Sequence, residues 1–237
     1  MRCALILAMF AASLANAAWR DYREVRDLNL DAADVHMLDV EAGAGALKIT
    51  GVAGAQRIVV TATIEIPDAS DDEAQELIAS GLSLSLVRDG DRAILKSRFE
   101  RGWQLFDGSP RIQLDIRVPE RMSLKVDDGS GSVEIGGVLG AIDLHDGSGS
   151  ITLSDVGGPL SVDDGSGALQ INGVRGDVSI EDGSGSIDVH NVAGSVTIDD
   201  GSGSITVSDV DGDLVIEDDG SGSLRFSDIE GAVENNG

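Results

Sequence analysis

The stretch Gly176-Asp-Val-Ser-Ile-Glu-Asp-Gly-Ser-Gly-Ser-Ile-Asp-Val-His-Asn-Val-Ala-Gly194 decides the architecture. Val178 and Ile180 alternate with polar residues, and Asp182 to Gly185 turn the chain. Ile187 and Val189 alternate again, before Asn191 to Gly194 turn it back. Period-two alternation of β-branched residues argues strands, and paired glycines supply positive-φ backbone that other side chains resist. Two short strands and two corners make one coil.

The same unit recurs. Asp128, Asp146, Asp164, Asp182, Asp200 and Asp219 each begin Asp-Gly-Ser-Gly, at spacings of 18, 18, 18, 18 and 19 residues. An apolar residue follows every turn: Val133, Ile151, Leu169, Ile187, Ile205 and Leu224. A strict repeat is the mark of stacked equivalent units, so each strand is expected to pair with its copy in the next coil, about 4.8 Å away. The expected fold is all-β: a single-stranded parallel β-solenoid of about 18 residues per coil, right-handed by the crossover preference. A chain of antiparallel hairpins in an open sheet is the competing arrangement.

Working toward the N-terminus, Ala42 to Gly54 matches Asp164 to Gly176 at eight of thirteen positions, with the glycines and apolars kept and the Asp and Ser of the turn replaced by Ala. The backbone turn therefore does not require the carboxylate. Ser70 and Glu73 form a capping-box start to a short helix ending at Gly81, and Leu82 to Leu95 suggests a hairpin around Asp89-Gly90. Ile112, Leu114, Ile116 and Val118 alternate as another strand, punctuated by Pro119. Residues 36–126 read as irregular first coils with this helix and hairpin inserted, 127–231 as the regular acidic repeat and 232–237 as a tail.

Met1-Arg2, the apolar run Ala4–Leu14 and Ala15-Asn-Ala17 have the charged start, short apolar middle and small-residue cleavage site of a signal peptide, so 1–17 is expected to be removed and 18–35 to lead into the solenoid. The run is shorter than the roughly 20 residues of a membrane-crossing helix. The lone cysteine, Cys3, falls inside it, so the exported chain is expected to have neither a disulfide nor a thiol nucleophile. No membrane span is expected after signal removal, and the location is periplasm or cell surface.

Charge is unevenly spread. From Asp127 onward there are 23 acidic residues against two basic ones, Arg175 and Arg225, whereas 18–126 carries 19 and 14. Such a surface repels phosphate backbones, which argues against nucleic-acid partners and favours cations or basic partners. In-register stacking lines up Asp128, Asp146, Asp164, Asp182, Asp200 and Asp219 along one edge, where neighbouring charges repel by ~0.9 kcal/mol in water. That edge is a candidate metal site for Ca2+, which the coil does not require; its alternative role is a solvated edge that keeps the protein soluble. An EF-hand does not fit: its first ligand position falls on the interior strand residues Val126, Leu144, Val162, Ile180 and Ile198 in five of the six repeats and on Glu217 only in the last, and an 18-residue unit has no room for flanking helices.

No other chemistry has the right pattern. Gly-Ser-Gly is followed by no Gly-Lys-Ser/Thr, and no Gly-x-Ser-x-Gly elbow occurs in the repeats. His36, His145 and His190 occupy different repeat phases and read as surface substitutions. A carbohydrate-binding or carbohydrate-active β-helix is a further class, but the repeat offers one aromatic, Phe226, and only two cations. Trp103 and Phe106 form a candidate partner surface, with a core cap as their alternative role.

The strand and Gly-rich turn from Leu38 to Gly54, the segment Ile116-Arg-Val-Pro119 followed by Leu124-Lys-Val126, and the Gly-x-apolar-x-apolar units running to Gly231 resemble a family of bacterial candidate adhesins, a domain of unknown function rich in β-strand repeats. The resemblance spans roughly 36–231. It implies a β-repeat fold and a noncatalytic exported module, adhesin-like or structural, with an envelope or extracellular protein or a glycan as partner and no required cofactor. It brings no catalytic motif to carry over.

Overall fold

A computed structural model describes residues 21–100 and 109–237, so the signal segment and the Trp103/Phe106 surface lie outside the described residues. Strands β1 (Tyr22–Asp31), β2 (Met37–Ala42), β3 (Leu47–Val52) and β4 (Arg57–Ile66) precede helix α1 (Asp71–Gly81). There follow β5 (Leu82–Asp89), β6 (Arg92–Phe99), β7 (Arg111–Pro119), β8 (Ser123–Asp128) and β9 (Gly131–Gly136). The regular repeat supplies β10 (Ile142–Asp146), β11 (Gly149–Val156), β12 (Leu160–Asp164), β13 (Gly167–Val174), β14 (Val178–Asp182) and β15 (Gly185–Val192). It ends with β16 (Val196–Asp200), β17 (Gly203–Val210), β18 (Leu214–Asp218), β19 (Ser223–Ile229) and β20 (Val233–Asn235).

The strands form two sheets of ten, ordered β1-β4-β7-β3-β9-β11-β13-β15-β17-β19 and β20-β18-β16-β14-β12-β10-β8-β2-β6-β5. From β8 to β20 the chain alternates between sheets, and every strand pairs in parallel with its copy one coil away: Ile180 lies beside Val162 and Ile198, Ile187 beside Leu169 and Ile205. This is the parallel solenoid of about 18 residues per coil. The 19-residue spacing before Asp219 appears as a register shift between Ile198 and Asp199, which pairs Asp199 with Asp218. One extra residue in one strand is the definition of a bulge.

Inward positions of the two sheets make one continuous core. Val178, Ile180, Ile187, Val189 and Val192 are all buried, as are their copies in neighbouring coils. Val189 and Val192 both point inward although their odd spacing should place them on opposite faces. Asn191, at φ 57°, absorbs the extra residue, and Asp155, Asp209 and Asp228 do so at φ 54–58° in their coils, with Gly173 in the same place. Asp, Asn and Gly tolerate this left-handed conformation best.

The N-terminal half is threaded less simply than the repeat. The coil made by β2 and β3 lies between that of β6 and β7 and that of β8 and β9: Leu47 pairs with Leu114 on one side and Val133 on the other. The chain leaves this coil through β4, turns through α1 and the β5–β6 hairpin, adds a coil on the outside, then passes back to start the regular stack. Among the described residues antiparallel pairing is confined to this end, in β1 with β4, β4 with β7 and β5 with β6. The 18–35 lead-in thus contains a full strand, and the 232–237 tail contains β20. Helix α1 has the expected capping box: Glu73 N–H donates to Ser70 Oγ, and Ser70 N–H donates to Glu73 Oε2 at 2.9 Å.

Candidate functional site

Two lines of side chains run along the solenoid, one at each corner. At the Asp-Gly-Ser-Gly corner the strand burial alternates so that Val178, Ile180 and Asp182 share the inward face. Asp128, Asp146, Asp164, Asp182 and Asp200 are each 5 % exposed or less. The structure therefore brings five of the six predicted aspartates into one column, but inside the wall rather than on a solvated edge. Asp219, displaced by the bulge, is half-buried. The residues just before them, Asp127, Asp163, Glu181 and Asp199, alternate outward and carry the exposed charge. The strand phase of Val178 and Ile180 was the signal for this inward placement; carboxylate hydration argued the other way.

Three of the turns hold their aspartate by an Asx contact. Ser166 N–H donates to Asp164 Oδ1 at 3.1 Å, Ser184 N–H to Asp182 Oδ1 at 3.1 Å and Ser202 N–H to Asp200 Oδ1 at 3.0 Å. The Oδ2 atoms of Asp128, Asp164, Asp182 and Asp200 and both carboxyl oxygens of Asp146 are buried without a hydrogen-bond partner. Desolvation, reinforced by the charge of Asp146, pushes the Asp128 carboxyl up to about 7. Burial likewise pushes Asp182 up to about 6, against the hydrogen bond from Ser184. Asp146, Asp164 and Asp200 are raised for the same first reason, desolvation. In the β2–β3 coil the same position is Ala42, and Ser97 stands beyond it with a buried, unpartnered Oγ. Among the described residues, no three or more His, Cys, Asp or Glu side chains converge in a way that could hold a metal ion.

The turns are packed as tightly as backbone allows. Gly131, Gly149, Gly167, Gly185 and Gly203 have φ between 135° and 152°, and each lies against the carbonyl of the glycine one coil earlier. A Cβ on Gly185 would stand 2.8 Å from the Gly167 carbonyl carbon and nearer still to its oxygen. The corner is thus fixed by glycine stacking.

At the opposite corner the left-handed residues border a groove of about 920 Å³ spanning the coils from Gly137 to Glu230. Among the described residues its charged lining is Glu120, Asp155, Asp209, Asp211, Asp228 and Glu230 against Arg175. Sequence reading missed side-chain contacts within and between coils. His190 Nε2 is 2.6 Å from Asp188 Oδ1, and its Nδ1 is 2.7 Å from Ser208 Oγ, which donates to Asp209 Oδ2 at 2.7 Å. His145 lies 3.1 Å from Asp163 and 3.5 Å from Asp143. Residues 18 apart share a face, so the repeat phase was the signal that could have found His190 with Ser208.

The His190–Ser208–Asp188 composition has hydrolase-like members without hydrolase geometry. The Ser208 proton points to Asp209, and the strand amides around it belong to the parallel ladder rather than to a free pair facing an oxyanion. The surface that carries these groups is acidic and repeats coil by coil. The class so defined is a two-sheet β-solenoid stacked on its corner glycines.

The Toastrack DUF4097 family model matches residues 59–234, and the chain belongs to this family. No curated protein matches it. Solved structures similar to it include a candidate cell adhesion protein from Clostridium sporogenes (10% identity, 91% of this chain and 99% of that one, TM-score 0.36). Another is a candidate adhesin from Bacteroides fragilis (12% identity, 90% and 97%, TM-score 0.39).

Proposed function

We propose that the protein is a noncatalytic, exported adhesin-like or structural module of the cell envelope, in the periplasm or at the cell surface. Its partner is an envelope or extracellular protein or glycan, met along the groove of the second corner. The observation that carries this reading is the groove itself: Asp155, Gly173, Asn191, Asp209 and Asp228 repeat along it at one-coil intervals, and its charged lining among the described residues is six acids against one base. An extended partner with regularly placed cationic groups fits such a lining, and charge complementarity at a rim governs encounter and specificity.

Binding of a lysine-rich peptide, followed by calorimetry at two ionic strengths, tests the surface. Saturable binding that weakens with salt, and that drops about tenfold in the double variant Asp211→Lys/Glu230→Lys with unchanged melting temperature, supports it. Equal binding by that variant overturns the groove assignment. Absence of saturable binding to intact cell envelopes counts against the adhesin-like reading as a whole. Glycan cleavage lost on changing Arg175 or Arg225 would replace it with a carbohydrate enzyme.

A further inference from the structure

The inward carboxylates of β8, β10, β12, β14 and β16 form a column with no counter-charge among the described residues. Five side chains from consecutive coils, about 4.8 Å apart, point into the wall at the Asp-Gly-Ser-Gly corner. Oδ1 of Asp164, Asp182 and Asp200 is occupied by the turn amide, and Oδ2 of all five is buried and unpartnered. The titratable groups around the column are Asp127, Asp163, Glu181 and Asp199 on the same strands, His145 on the outer face of β10, Asp218 on the neighbouring β18, and Asp219 beyond the bulge, all but the histidine acidic. The first inward residues of the facing sheet, Val133, Ile151, Leu169, Ile187 and Ile205, bring no charge. A buried acceptor left unpaired costs about 1–3 kcal/mol, more when charged, so five orphan oxygens in a row demand donors.

We propose that this column is a proton-binding site, in which a carboxylic acid of one coil donates its O–H to the carboxylate of the next. Each proton placed between two coils satisfies two orphan oxygens at once, one as donor and one as acceptor, and removes one buried negative charge. The covalent O–H stays on one aspartate while the neighbour accepts, so no other atom or counter-ion is required. Raised carboxyl affinities along the column, about 7 at Asp128 and about 6 at Asp182, agree with this arrangement. Ala42 ends the column on one side and the bulge before Asp219 on the other, which limits it to the regular coils.

Differential titration of folded against unfolded chain is the test. The folded protein should hold an excess of one or more protons at pH 6, and infrared spectra should show the carbonyl stretch of protonated carboxyl at that pH, lost by pH 9. The pair Asp164→Asn/Asp182→Asn, which keeps shape and supplies N–H donors, should lower the proton excess and flatten the pH dependence of melting temperature. No proton excess at pH 6 overturns the proposal, as does a double variant with the wild-type excess. Saturable calcium binding at pH 6, with a rise in melting temperature lost in the same variant, overturns it in favour of a cation site. The titration of folded against unfolded wild type stands even if the variant does not fold.

Discussion

Replacing Gly185 with alanine isolates what the corner stacking contributes. The added Cβ would lie 2.8 Å from the Gly167 carbonyl carbon, against the roughly 3.5 Å of a relaxed carbon contact, and nearer still to its oxygen, so the two coils must part locally by at least about 0.7 Å. The Gly167 N–H to Ser184 O bond that joins these coils is 2.9 Å, and parting by that amount takes it beyond hydrogen-bond geometry. The loss of a buried backbone bond is about 1–3 kcal/mol, and alanine at φ 148° adds about 1–3 kcal/mol of strain, giving about 2–6 kcal/mol in all. Gly90→Ala is the control, since Gly90 also has positive φ (64°) but no atom within 4 Å of its would-be Cβ; it should cost about 1–2 kcal/mol. Urea denaturation read by circular dichroism measures both. If Gly185→Ala loses no more stability than Gly90→Ala, the corners are not held by glycine contact, and the account of the stack is wrong.

Stability should fall with rising pH across mildly acidic values. Asp182 has a folded-state affinity of about 6 against 3.8 unfolded, so its contribution is fully present below about pH 4, declines between 4 and 6 and is absent above, a loss of roughly 3 kcal/mol at pH 8. Asp182→Asn should therefore be more stable than wild type at pH 8 and lose that advantage at pH 4, in urea melts at the two values; a variant destabilised equally at both would contradict the burial of an ionisable carboxyl. At the other end of the chain, Ser70→Ala removes the hydroxyl that accepts from Glu73 N–H while the backbone N–H of residue 70 still reaches Glu73, and should cost about 1 kcal/mol, with hydrogen exchange increased in α1 and unchanged in β14.

The sequence by itself determined the repeat, its two strands per coil and its corners, because period-two alternation and positive-φ glycines are local properties of the chain. It also determined α1, through Ser70 and Glu73, and the hairpin at Asp89-Gly90. Tertiary structure alone decided what is non-local. The coil of β2 and β3 lies between later strands, an order that neighbouring residues do not encode, and β1 is a strand because β4 offers it an edge. Asn191 and its copies reset the strand phase through a left-handed conformation that is stable only when Val192 has a core to enter. The aspartates are the sharpest case. Composition marked them as acidic and the repeat aligned them, but only the stacked corners, by closing over Asp182 and its copies, turned a line of carboxylates from a wet edge into a buried column.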